Sequence, residues 1–185
     1  MRHNSSSKNR CKCKQCQMIE EALAEGSSIE EARERYRAFE QEKLAEHGWI
    51  VHFVDGDNSS PTGVNVHTHG LMENYDHPDF QIVIPIPPQI IHPILEGLVD
   101  RVKEGERFVA DELVDEVLHG YQVKMVEAAE CGRTVLRVIL PDQKGNLDSW
   151  SIEDPYLRQY GDLVELPEID PKFRPAKWTP FKGEA

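Results

Sequence analysis

Acidic residues are missing from the first 19 positions, and cysteine is nearly missing after position 16. Only four cysteines occur, and three of them, Cys11, Cys13 and Cys16, crowd together. Such crowding argues against a disulfide scaffold and for metal or redox chemistry. Long apolar runs are missing too. The greasiest stretch, residues 82–95, is broken by Pro85, Pro87, Pro88 and Pro93. Nothing approaches the roughly 20 apolar residues that a membrane-spanning helix needs. No apolar stretch follows the basic residues at the start, as a secretory leader would require. A cytoplasmic chain with no membrane partner is therefore expected. There is no Walker loop, no Gly-x-Gly-x-x-Gly and no Gly-x-Ser-x-Gly elbow, which speaks against nucleotide binding and α/β-hydrolase chemistry. No internal repeat is present.

What remains is an ordinary globular composition. The 185 residues are 39% apolar and 29% charged, enough for one domain with its own core. The net charge is −12, unevenly placed: the first 16 residues carry +5 and the remainder −17. The body should repel nucleic acid and anionic membrane. Contact with nucleic acid is conceivable only through the basic start, which reads first as a solvated segment.

Met18, Ile19, Ala22 and Leu23 recur at helical spacing, and Gly26 stops that short helix. A second helix spans 29–46. Ser28 and Glu31 form a capping box at its start, Ile29, Ala32, Tyr36 and Phe39 mark its apolar stripe, and Gly48 ends it. Strands are expected at 49–54, 64–68 and 80–84, the first two separated by a turn-rich loop. A helix over 89–103 buries Ile91, Ile94, Leu95, Leu98, Val99 and Val102, and residues 111–118 read as a short helix. Residues 122–128 and 134–140 form a strand pair joined around Cys131 and Gly132. Beyond Pro155, Pro167, Pro171, Pro175 and Pro180 forbid long helices and imply an extended segment anchored by Trp178 and Phe181. The expected fold is α+β: one domain with an antiparallel or mixed sheet of about five strands, and helices mainly on one side. The helices at 29–46 and 89–103 should be the sheet's main partners. Three parts follow: a basic Cys-rich segment with a short helix at 1–26, the α+β domain at 27–166, and a Pro-rich tail at 167–185.

Several markers stand in fixed order: Gly48-Trp49, Thr68-His69-Gly70-Leu71, His77-Pro78-Asp79, Gly97-Leu98, the run from Leu136 to Gly145, and Gln159. Together they resemble the family catalogued as domain of unknown function 4262, over residues about 47–165. The resemblance implies a small bacterial α+β domain and no particular reaction. The family's more usual Tyr-Thr-Ile-Gly-Leu stands here as His67-Thr68-His69-Gly70-Leu71, so both histidines belong to a subgroup at most.

Two clusters carry chemistry. His67 and His69 sit two apart on an expected strand, so their rings project from one face and suit two imidazoles on one metal. His77, Glu73, Asp76 and Asp79 follow closely, and His52 lies on a neighbouring strand. The alternatives are that His67 and His69 only bond to loops, or that they form a metal-free ligand or acid/base site. A cupin would need a second histidine motif, and an amidohydrolase a barrel of about 250 residues. Cys11, Cys13 and Cys16 offer three soft ligands where zinc takes four, with Cys131, His3 or a second chain as sources of the fourth. Redox chemistry at Cys13-x-x-Cys16 and a plain flexible tail are the alternatives. The first functional expectation is a non-enzymatic accessory domain that binds a protein partner and carries a zinc-stabilised Cys-rich tail. The second is a metal-dependent hydrolase centred on His67, His69 and His77.

Overall fold

In the computed structural model, residues 14–55, 62–84 and 86–164 are described. The cysteines at 11 and 13, the side chain of Cys16, and the Pro-rich tail with Trp178 and Phe181 lie outside them. The chain divides into two compact units, residues 1–50 and 51–185.

The first unit is a helical hairpin of α1 (Lys14–Ala24) and α2 (Ile29–His47). Gly26, at φ 92°, lets the chain turn between them. The start of α2 is set by the capping box: Glu31 N–H donates to Ser28 Oγ at 3.3 Å, and Ser28 N–H donates to Glu31 Oε2 at 2.7 Å. Glu30 and Glu31 also place negative charge at the helix's positive end. Gly48 ends the helix in the left-handed conformation that glycine adopts without strain, its N–H donating to Leu44 O at 2.8 Å. Arg35 reaches back to Glu25 at 2.9 Å.

The second unit is built on a mixed sheet of six strands in the order β1-β2-β3-β6-β5-β4. These are β1 (Ile50–Asp55), β2 (Val64–His69), β3 (Asp79–Ile82), β4 (Leu113–Leu118), β5 (Tyr121–Glu130) and β6 (Arg133–Ile139). The β2–β3, β4–β5 and β5–β6 pairs are antiparallel, while β3 and β6 run parallel at the centre. The α+β expectation holds, with six strands instead of five. The sixth is β4, where the sequence suggests a helix. Its two flanking apolar pairs fit either period. The ladder to β5, closed by a tight turn at His119 and Gly120, decides for the strand. Glu116, at φ 62°, sits where the β4–β5 register shifts.

Helix α3 (Leu71–Tyr75) is one short turn after Gly70, whose φ of 101° breaks β2. Helix α4 (Pro88–Lys103) buries all six expected apolar residues, with Leu95 and Val99 wholly covered. Pro88 opens it, where a missing N–H costs nothing. The β5–β6 turn places Cys131 and Gly132 at φ 48° and 79°, the double left-handed geometry that matches strand twist. After β6, Ile152 and Tyr160 close over Ile139, and the Tyr160 hydroxyl donates to Leu147 O at 2.7 Å. Gln159, on a 3₁₀ turn at Tyr156–Tyr160, pairs through its amide with both backbone groups of Leu140 at 2.9 Å. No helix among the described residues is long and apolar enough to cross a membrane.

Candidate metal centre

Strand β2 is buried along nearly its whole length and carries Asn65, His67 and His69 at alternate positions, hence on one face. The register carries that face across the sheet. His67 stands opposite Gln81 on β3, and Gln81 stands opposite Arg137 on β6. Direct cross-strand partners share a face. A row of polar side chains therefore crosses a mostly apolar sheet, and each must find a partner.

The histidines converge. The Nε2 atoms of His67 and His69 lie 3.0 Å apart, with ring centroids at 4.8 Å. His52 on β1 joins them, its ring 4.2 Å from His69 and 5.5 Å from His67. One ligand nitrogen from each of the three rings falls within 4.8 Å of the others. Two nitrogens bound to one zinc at 2.0–2.1 Å lie about 3.3 Å apart at the tetrahedral angle, close to the 3.0 Å between His67 and His69, and the 4.8 Å spread of the three rings would close for all of them to share one ion. The His52 Nε2 atom is shielded from solvent.

Carboxylate charge reaches the cluster from the end of β5. Glu130 Oε1 lies 3.7 Å from His67 Nε2. Its Oε2 accepts from Arg133 Nε and Nη2, both at 3.1 Å. Burial works to raise the Glu130 carboxyl, but a hydrogen bond from Cys131 and the charges of His67 and Arg133 outweigh it and hold it below the usual range. Arg133 also donates to Asp79 Oδ2 at 2.7 Å, to Thr68 O at 3.3 Å and to His69 Nε2 at 3.3 Å. A guanidinium only donates, so His69 Nε2 is an acceptor here. Burial, together with the neighbouring His52, Arg133 and His67, pushes the His69 ring down to about 3, which leaves it neutral around pH 7.

The other acids near the histidines in sequence go elsewhere. Asp79 accepts from Thr68 Oγ1 at 2.9 Å and from the Leu71 N–H at 3.3 Å, besides its bond with Arg133. Burial raises its carboxyl against those bonds. Glu73 and Asp76 are exposed on α3 and just after it. His77 is wholly buried between Phe80 and Phe108, with ring centroids at 5.0 and 5.8 Å. Its Nδ1 bonds Pro78 O at 2.6 Å and its Nε2 accepts from the Phe108 N–H at 3.1 Å, so both ligand atoms are taken by backbone. His67 and His69 are thus brought together, His77 is not, and His52 takes the third place. Glu130, Asn65 and Gln81 are the participants that sequence reasoning misses. Asn65 alone left a signal, sharing the alternation of His67 and His69.

Cys131 is exposed in the β5–β6 turn beside Glu130. Cys11 and Cys13 fall outside the described residues, as does the Cys16 side chain, although its backbone lies in the first turn of α1.

Searches of curated proteins and of solved structures each found no match to this chain. The family described as "Domain of unknown function (DUF4262)" matches residues 43–148, a span that holds all three clustered histidines, Glu130 and Arg133. That span is more than half of the chain, and the protein belongs to this family.

Proposed function

We propose that the domain is a metal protein of the zinc class, in which His52, His67 and His69 hold one divalent ion that activates water for hydrolysis. The observation that carries this reading is the convergence of three imidazole nitrogens within 4.8 Å of one another. Three imidazoles with one position left open form a water-activating set, whereas a purely structural zinc takes four protein ligands. A bound ion of this kind lowers the pKa of its water to about 7. Glu130, 3.7 Å from His67 Nε2, stands where it can accept a proton from that water. Arg133 holds the Glu130 carboxylate through two bonds and so keeps it aimed at the cluster. A second reading, a non-enzymatic accessory domain with a structural ion, draws support from the same carboxylate, because Glu130 could close the coordination as a fourth ligand.

Metal analysis of untagged protein tests the centre. A Cys11→Ser, Cys13→Ser, Cys16→Ser variant removes any zinc held by the cysteine-rich start. One equivalent of zinc should remain in it, and should be lost on adding His67→Ala or His69→Ala. Retention of full metal by those histidine variants would sink the proposal. A panel of ester, amide and phosphoester substrates then separates the two readings. Turnover that needs the metal and falls about 100-fold or more in Glu130→Gln supports hydrolysis. No turnover, with metal bound, supports the accessory reading.

A further inference from the structure

Arg137 is among the most deeply buried large side chains of the protein, at 1% exposure, and it lies at the far end of the polar row from the histidines. Its Nε donates to Gln81 Oε1 at 2.9 Å. Its Nη1 donates to Gln159 O at 2.9 Å, and its Nη2 to Asp162 Oδ2 at 2.8 Å. Gln81 Nε2 donates in turn to Asn65 Oδ1 at 3.1 Å. The same Asn65 Oδ1 lies 3.0 Å from His67 Nδ1. An unbroken chain of buried bonds therefore runs Arg137, Gln81, Asn65, His67.

We propose that Asn65 and Gln81, oriented by Arg137, are positioning residues that fix His67 as the Nδ1–H tautomer and so reserve its Nε2 lone pair for a metal ion. The polarity follows from donor and acceptor chemistry alone. A guanidinium has no acceptor, so Gln81 must turn its carbonyl oxygen to Arg137. Its NH₂ group then faces Asn65, and Asn65 must answer with oxygen. That oxygen can only accept from His67, so Nδ1 carries the hydrogen. Flipping either amide would set two donors against each other at buried positions. In the neutral ring Nε2 is then proton-free and faces His69 Nε2, 3.0 Å away, which Arg133 already marks as an acceptor. Two lone pairs and the Glu130 carboxylate thus converge, and a metal ion seated between them would replace the hydrogen bond that Arg133 Nη2 now gives to His69 Nε2. Histidine ligands are oriented in this way by partners on the other ring nitrogen, and loss of such a partner weakens metal binding about 10–100-fold.

This inference rests on the metal centre proposed above, and two measurements keep the fates of the two apart. Side-chain ¹⁵N–¹H correlation spectra of the metal-free full chain at alkaline pH report the His67 tautomer directly. Nδ1–H is expected in the wild type and in Asn65→Asp, whose carboxylate still accepts. Mixed tautomers are expected in Asn65→Leu, and Nε2–H in the wild type would overturn the proposal. Zinc affinity, read by chelator competition in the background lacking the three N-terminal cysteines, should fall about 10–100-fold in Asn65→Leu and Gln81→Leu. Asn65→Asp should stay close to wild type. Equal weakening in Asn65→Asp and Asn65→Leu would reduce Asn65 to packing and end the positioning role. Zinc bound equally by wild type and His67→Ala would end the metal centre, while the spectra would still judge the tautomer.

Discussion

Asp162 is a third exposed, yet it neutralises a guanidinium that has no other anion bonded to it among the described residues. Removing one partner of a fully buried pair costs about 3–5 kcal/mol. Water can reach Asp162, so a smaller loss is expected for Asp162→Ala, about 2 kcal/mol by urea unfolding, and still well above the ordinary surface value. Asp142 makes a different kind of prediction. Its carboxylate accepts from the Lys144 and Asn146 N–H groups at 2.8 and 3.0 Å, from Asn146 Nδ2 at 3.0 Å and from the Glu153 N–H at 3.1 Å. Burial opposes its charge, but these donors win and hold it at about 2, against an ordinary 3.8. The folded pKa is depressed, so the stabilisation is present above about pH 4 and is lost as pH falls toward 2. Thermal midpoints measured across that window should fall less steeply in Asp142→Asn than in the wild type. The two variants should also differ near neutrality, where Asp142→Asn has already lost the charge.

Elements whose signals are local were legible in the sequence. Ser28, Glu31 and Gly48 mark both ends of α2 because caps are made by neighbouring residues. The apolar spacing of α4 gave its buried face residue by residue. That face can be tested: Leu98→Ala should cost about 2–5 kcal/mol by urea unfolding. The exposed Ile90→Ala on the same helix should stay within about 0.5 kcal/mol. Strand β4 reads as a helix because only Val114 on it is buried, so no clean alternation marks it, and its identity comes from pairing with β5. The site divides in the same way. The alternation of His67 and His69 is visible in six letters of sequence. Glu130 and Gln81 meet the histidines only through the β5–β6 turn and the β2–β3–β6 register, and no local pattern announces either. His77 reads as a ligand because it is close in sequence, but the turn after α3 carries it into the apolar packing around Phe108.

Across the whole molecule, an ion bound only by the folded state must raise its stability. At free zinc 100-fold above the dissociation constant, the gain is about 2.7 kcal/mol. In the background lacking the three N-terminal cysteines, thermal midpoints should therefore rise with zinc and fall with chelator, and His67→Ala should abolish the response. The body's charge of −17 after residue 16 also draws cations toward it, so zinc association should slow as salt is added.

His52 comes from β1, the outermost strand on its side of the sheet, while His67 and His69 come from the next strand inward. A marginal strand is the part of a sheet that frays most readily, since hydrogen bonds brace it on one side only. An ion shared between the two strands would act as a clasp, tying the loose margin to its neighbour by coordination where the ladder alone is weakest. Amide hydrogen exchange at residues 51–54 should then slow on adding zinc far more than exchange along β5, which is braced on both sides.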